Sequence, residues 1–338
     1  MIAQRFIFFV LGYFGCAFVL AAEDAQEATP VSNGASNVEL ICTTNSREPR
    51  AWYVGPYKGF DNNLTGIDLA RDLYCADLFK KTRYPNGFVT IYGSSRISEY
   101  FEDPKRQKFF STNSSLAKEF NKTYAEVKTF ANMWTRRFAT KFPIMTGAGP
   151  GLMEAGSMGA IEAGTSIGYT TYYGPPNAGD PHGYSDDPRF WRYTNPETKA
   201  SSEITSEGLV FSSVSARETA MILHSAAIVI APGGSGTEWE TFQILEMLKS
   251  KQLRPVPVYF VGEKYHWSSL LARVQDMENR GTVKKGALPI EFAGCPTDLV
   301  NKLAFSLGLS VEKPADEITA CANRPDYEVR ALKQVGVM

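Results

Sequence analysis

The sequence predicts an α/β chain, a doubly wound parallel sheet with a small N-terminal cap, and three observations carry that expectation. Short apolar runs rich in β-formers recur from Gly87 onward: GFVTIYG, FPIMTGAG, SIGYTTYY, AAIVIAPGG and VPVYFVG. Helical stretches such as YAEVKTFANMWTRRFAT and EWETFQILEMLKSKQ lie between them, and strands that alternate with helices build parallel sheets. Glycines gather directly after the runs, at the strand ends where such sheets hold their ligands.

Taken in order, residues 1–22 have the form of a secretory signal. Arg5 precedes an apolar run from Phe6 to Leu20, and Ala21-Ala22 follows with residues small enough for cleavage. The run is short for a membrane span, and Tyr13-Phe14-Gly15 is not the aliphatic and small lead-in that a lipid-modified Cys16 requires. The expectation is a secreted or periplasmic chain with no membrane anchor after cleavage. Residues 23–36 are small and polar and read as a disordered linker. Residues 37–85 form the cap, with a helix around GIDLARDLYCADLFKK in which Ile67, Ala70, Tyr74 and Leu78 recur at helical spacing. Residues 86–310 make the main domain and 311–338 a C-terminal tail. Within the domain, a segment rich in Gly, Pro and aromatics at 174–212 reads as a lid insertion.

Composition narrows the partners. The 338 residues are 43% hydrophobic and 21% charged, enough for one large core, and the formal net charge of −1 supplies no basic surplus for nucleic acid or anionic lipid. A small molecule is the expected partner. Of five cysteines, one lies in the signal, leaving Cys42, Cys75, Cys295 and Cys321. An even number in an oxidising compartment suggests disulfides; of the three connectivities, the economical one joins Cys42 to Cys75 and Cys295 to Cys321. No C-x-x-C occurs, so neither redox chemistry nor zinc is indicated. His182, His224 and His266 are scattered and make no metal site. Asn63, Asn113 and Asn121 open glycosylation triplets that matter only in a eukaryotic secretory route.

Three strand ends carry unusual loops: Gly93-Ser94-Ser95-Arg96, then Gly147-Ala148-Gly149-Pro150-Gly151-Leu152-Met153-Glu154, then Pro232-Gly233-Gly234-Ser235-Gly236-Thr237. Glycines let backbone N–H groups approach an anion, and a following helix N-terminus adds its dipole. Together the loops predict a phosphate cradle built from Gly93, Ser94, Ser95, Gly147, Gly149, Gly151, Met153, Gly233, Gly234, Ser235, Gly236 and Thr237. No lysine follows in the P-loop manner, and GAGPGL does not complete G-x-G-x-x-G. Met153 with Met158 also suits simple helix packing.

The stretch PGGSGTEWE resembles the PGGxGTxxE signature of the Lonely Guy (LOG) family, nucleoside 5′-monophosphate phosphoribohydrolases that include cytokinin-activating enzymes. SARETAMILHSAAIVIAPGG is similar to that family's helix bearing an essential arginine, and Arg217 stands 23 residues before Glu240, as in the family. GFVTIYGSSR and TGAGPGLMEAGSMGAIEAG resemble its first strand and second glycine loop, so the likeness runs over roughly residues 87 to 305. The resemblance implies a Rossmann-like fold and hydrolysis of a nucleotide such as AMP or a cytokinin nucleotide. It also implies no cofactor, and a homodimer or higher homo-oligomer. It assigns catalysis to Glu240, which would position water and stabilise the oxocarbenium-like sugar, and to Arg217, which would hold the phosphate or Glu240 itself. Glu238 reads as a solvated cap residue and His224 as a packed histidine; Trp239, Phe190 and Trp191 either stack on a base or pack. Glu218 stands where the family commonly has Lys. That change, the insertion and the signal leave open a secreted nucleotide-binding or sensor protein without hydrolysis, or a secreted interaction protein.

Overall fold

The structure, a computed structural model, describes residues 42, 51–55, 58, 59, 61–97, 114–172, 192–194 and 201–310. The signal, the linker, most of the expected lid, the tail, Cys321, His182, Phe190 and Trp191 lie outside the described residues.

Ten strands are described: β1 (Ala51–Tyr53), β2 (Phe88–Tyr92), β3 (Ile144–Thr146), β4 (Ser166–Thr171), β5 (Arg192–Thr194), β6 (Ser201–Glu203), β7 (Glu207–Phe211), β8 (Ser225–Ile230), β9 (Val258–Phe260) and β10 (Glu291–Phe292). Eight of them form one sheet in the order β1-β7-β4-β3-β2-β8-β9-β10, and every pairing in it is parallel. β5 and β6 pair antiparallel apart from it. The helices are α1 (Gly66–Arg83), α2 (Ser114–Phe138), α3 (Leu152–Glu162), α4 (Val214–His224), α5 (Ser235–Lys249), α6 (Ser268–Asn279) and α7 (Pro296–Ser306).

The strands read as continuous apolar runs because both faces are covered. Phe88 and Tyr92 of β2 point into the core shared with α1, α4, α5 and α6. Val89 and Ile91 point into the opposite core, shared with α2, α3 and α7. The chain is therefore the doubly wound α/β fold that the sequence predicts.

The N-terminal segment expected as a cap joins this body. β1 extends the sheet at its edge, with Ala51, Trp52 and Tyr53 in register with Gly208, Leu209 and Val210. α1 starts at a capping box in which Asp68 N–H donates to Thr65 and Thr65 N–H donates to Asp68. Of the apolar repeat only Leu78 packs against the core. Ile67 is 80% and Tyr74 51% exposed, whereas Asp68, Asp72, Cys75, Ala76 and Phe79 face inward. Two attachments turn the helix this way. Cys75 forms a disulfide with Cys42, as expected, across a Cα–Cα distance of 5.5 Å. Asp72 accepts hydrogen bonds from Ser212 N–H at 2.9 Å and Ser213 N–H at 3.1 Å, at the start of α4. Burial pushes the Asp72 carboxyl up to about 6 against the pull of these donors, and the donors offset its desolvation. Cys295 is also disulfide-bonded.

The expected lid needs correction. Residues 207–211 are not part of an insertion over the site: they form β7, hydrogen-bonded between β1 and β4. The short run Gly208-Leu209-Val210-Phe211 is a buried strand hidden behind a polar stretch. No helix among the described residues is long and apolar enough to cross a membrane.

Candidate active site

The site lies where the strand order reverses. From β2 the chain winds one way through β3, β4 and β7, then returns to β8 on the other flank of β2. Such a reversal leaves a crevice beyond the carboxyl ends of the two central strands. The three glycine loops meet there. Ser94 N–H donates to the Pro232 carbonyl at 3.0 Å, and Leu152 N–H donates to the Ser94 carbonyl at 2.9 Å. Main-chain hydrogen bonds thus join the loops after β2, β3 and β8 into one rim.

Two glycines are required by this closeness. Gly151 has φ of +73°, and a Cβ on it would strike the Ser94 carbonyl and stand 2.7 Å from the Ser95 carbonyl carbon. A Cβ on Gly233 would overlap the Thr237 side chain. Above Gly147 and Gly149 lies the Met153 thioether, and a Cβ on Gly147 would stand 3.3 Å from Arg217 Nη1. Arg217 therefore borders the second loop as well as the helix that carries it.

α3 and α5 both start at glycines, Gly151 and Gly234, that supply no side-chain cap. In α5, Gly234, Ser235 and Gly236 are exposed while Thr237 is buried. First-turn N–H groups without a side-chain acceptor, reinforced by the helix dipole, attract an anion. Ser94 turns its hydroxyl oxygen to the Arg96 N–H at 3.1 Å, and Ser95 is exposed.

Arg217 in the first turn of α4 and Glu240 in the second turn of α5 converge beside this rim. Arg217 Nη2 lies 3.9 Å from Glu240 Oε1, and both side chains are largely buried. Glu218 carboxylate Oε1 accepts from the same nitrogen. Glu218, the departure from the resembled family, is thus a second carboxylate on the guanidinium. Burial pushes the Glu240 carboxyl from its ordinary 4.5 up to about 7, with the Arg217 charge pulling it back.

That elevation has a sign for stability. The folded state binds the Glu240 proton more tightly than the unfolded chain does. The contribution is complete below about pH 4.5 and is lost as pH rises through about 7. Replacing the group by Glu240→Gln should therefore raise stability at pH 8 by about 1–3 kcal/mol. Thermal melts at pH 8 and pH 5 check this, and most of the gain should be lost at the lower pH.

The remaining candidates separate cleanly. His224 is packed, with Nδ1 3.1 Å from the Tyr169 hydroxyl, and burial holds it down to about 4. Glu238 is exposed in the first turn of α5. Trp239 is 46% exposed. Met158 is buried against the Tyr124 hydroxyl. Sequence reasoning missed Tyr92, the last residue of β2, which is 2% exposed. Its position just before Gly93 at the strand end was the available signal. No group of three or more His, Cys, Asp or Glu suited to a metal occurs among the described residues.

The fold is that of a doubly wound α/β protein, with its glycine loops gathered at the switch point. Residues 153–302 match the protein family described as "Possible lysine decarboxylase", a span that takes in Met153, Arg217, Glu240 and the PGGSGT turn. No curated protein matches the chain significantly. Among solved structures it is similar to the molybdenum cofactor carrier protein of Chlamydomonas reinhardtii, at 16% identity and a TM-score of 0.40, over 66% of this chain and 98% of that one. It is also similar to the protein TM1055, at 14% identity and a TM-score of 0.40, over 65% of this chain and 99% of that one. At these values the likeness does not extend to function.

Proposed function

We propose that the chain is a nucleoside 5′-monophosphate phosphoribohydrolase, splitting AMP or a cytokinin-type nucleotide and water into free base and ribose 5-phosphate. The observation that carries this reading is the Arg217–Glu240 pair, 3.9 Å apart, beside a helix N-terminus whose first turn has no side-chain cap. A 5′-phosphate on the N–H groups of Gly234 to Thr237 leaves the ribose one helical turn short of Glu240. Each charge-assisted hydrogen bond to that phosphate contributes about 1.5–3 kcal/mol.

In the proposed step water adds to C1′ while the C1′–N bond breaks. The bonding electron pair leaves with the base, which takes up a proton from solvent, and the water proton passes to Glu240, which returns it to solvent after release. The ionised carboxylate also stabilises positive charge developing on the sugar. Arg217 keeps Glu240 oriented and favours its ionised form, and Glu218 restrains the guanidinium. The exposed Trp239 ring is offered to the base.

The family description names a decarboxylase of lysine. Pyridoxal-type decarboxylation needs a lysine to form an imine, whereas the charged groups that converge here are Arg217, Glu218 and Glu240, and a guanidinium stays protonated. The hydrolytic reading uses those groups directly. Secretion and a homodimeric or higher assembly are part of the same proposal, and the Cys42–Cys75 disulfide suits an oxidising compartment. The test is release of free base from 5′-monophosphates compared with the matching nucleosides.

A further inference from the structure

We propose that Tyr92 is a positioning residue of this site, its hydroxyl held in reserve as a hydrogen-bond donor to the Glu240 carboxylate in its ionised form. The inference rests on the proposed hydrolysis for its rate readout, and on the core that Tyr92 shares with the helices of Arg217 and Glu240 for the placement of the groups.

The side chain sits on the site face of the sheet. Tyr92 ends β2, the central strand at the reversal, and is in register with Ile230 of β8. Its carbonyl accepts the Ala231 N–H at 2.8 Å, which ties it to the strand leading into the PGGSGT turn. Strand alternation sends Ile91 to the far core and Tyr92 into the core that contains Ala216 and Ala220 of α4 and Ile244 of α5. Arg217 and Glu240 belong to those same two helices.

The hydroxyl is buried and makes no hydrogen bond in the structure. A phenol in such a place costs free energy unless it is used, and phenylalanine would fill the same volume at no such cost. The charges of Glu240 and Arg217 both act on it, and burial with the Glu240 charge holds its proton firmly in place. It is therefore a donor at any working pH and takes no part as a base.

Glu240 interacts electrostatically with Tyr92 from β2 and with Arg217 from α4. Glu218 engages that same guanidinium, and Glu238 on α5 itself is exposed. A donor to the ionised carboxylate stabilises that form and fixes its rotamer. Tyr92 thus acts through Glu240, as Arg217 does from the opposite helix.

Tyr92→Phe removes only the hydroxyl. The variant should melt no lower than the parent, lower kcat about tenfold, and move the acid limb of kcat/KM up by about one pH unit. An unchanged acid limb overturns the inference, whether or not the melting temperature falls. If the parent chain releases no base, the hydrolase reading fails by itself, and infrared titration decides on Tyr92. The protonated-carboxyl band that Glu240→Gln removes should then titrate at higher pH in Tyr92→Phe. An unmoved midpoint overturns the assignment.

Discussion

Glu240→Gln should lower the rate of base release by about 10²–10³-fold while the chain stays folded. The amide keeps the size and the position on α5 but accepts no proton and carries no charge toward the sugar. Because the native carboxyl is pushed up to about 7 by burial, the substitution also relieves a desolvation cost. Activity and stability therefore move in opposite directions, a signature that a merely structural glutamate would not give. Purified variant and parent, compared for base release and for thermal melting at pH 8, supply the check. Near-parental turnover would remove Glu240 from the chemistry.

The second large effect is on the rim. Gly151→Ala should destabilise the protein by about 3–5 kcal/mol and abolish measurable phosphate-dependent binding. Two costs combine: a φ of +73° that an alanine resists, and a Cβ driven into the Ser94 and Ser95 main chain. Neither neighbour is a flexible side-chain end, so the loop after β2 must move. That movement breaks the Leu152 N–H bond to the Ser94 carbonyl. Gly236→Ala is the matched control. No atom lies within 4 Å of a Cβ there, and it should leave stability within about 0.5 kcal/mol of the parent. Chemical denaturation of both variants distinguishes a rim held by packing from one that merely contains glycine.

These two residues also show how much the sequence revealed. The strands with long apolar runs, β2, β3, β4, β8 and β9, were all legible, because burial on both faces leaves an uninterrupted hydrophobic signal. β1 and β7 were not. β1 has three residues, and β7 follows a polar, proline-containing stretch that composition assigns to a lid. The α1 helix was legible but its inward face was not. Periodicity ranks Ile67 and Tyr74 as core and cannot see that Asp72 finds backbone donors at the start of α4. The buried partners of a polar residue are a tertiary fact.

For the site, the three glycine loops were visible as local pattern, whereas Arg217 and Glu240 were singled out by the family resemblance. What spacing could not show is that Glu218 engages the same guanidinium. For Tyr92 the sequence offered only its place just before Gly93; that its buried hydroxyl has no hydrogen-bond partner is a tertiary fact.

The most direct test of the whole account is product analysis with the purified chain. AMP and a cytokinin nucleotide are incubated alongside their unphosphorylated nucleosides, and free base and ribose 5-phosphate are quantified in equal amounts. The account predicts stoichiometric base and ribose 5-phosphate from at least one 5′-monophosphate, with the nucleosides turned over at least about 10²-fold less efficiently, as loss of the phosphate bonds requires. Equal turnover of nucleoside and nucleotide, or tight binding of the monophosphates with no base released, would contradict it.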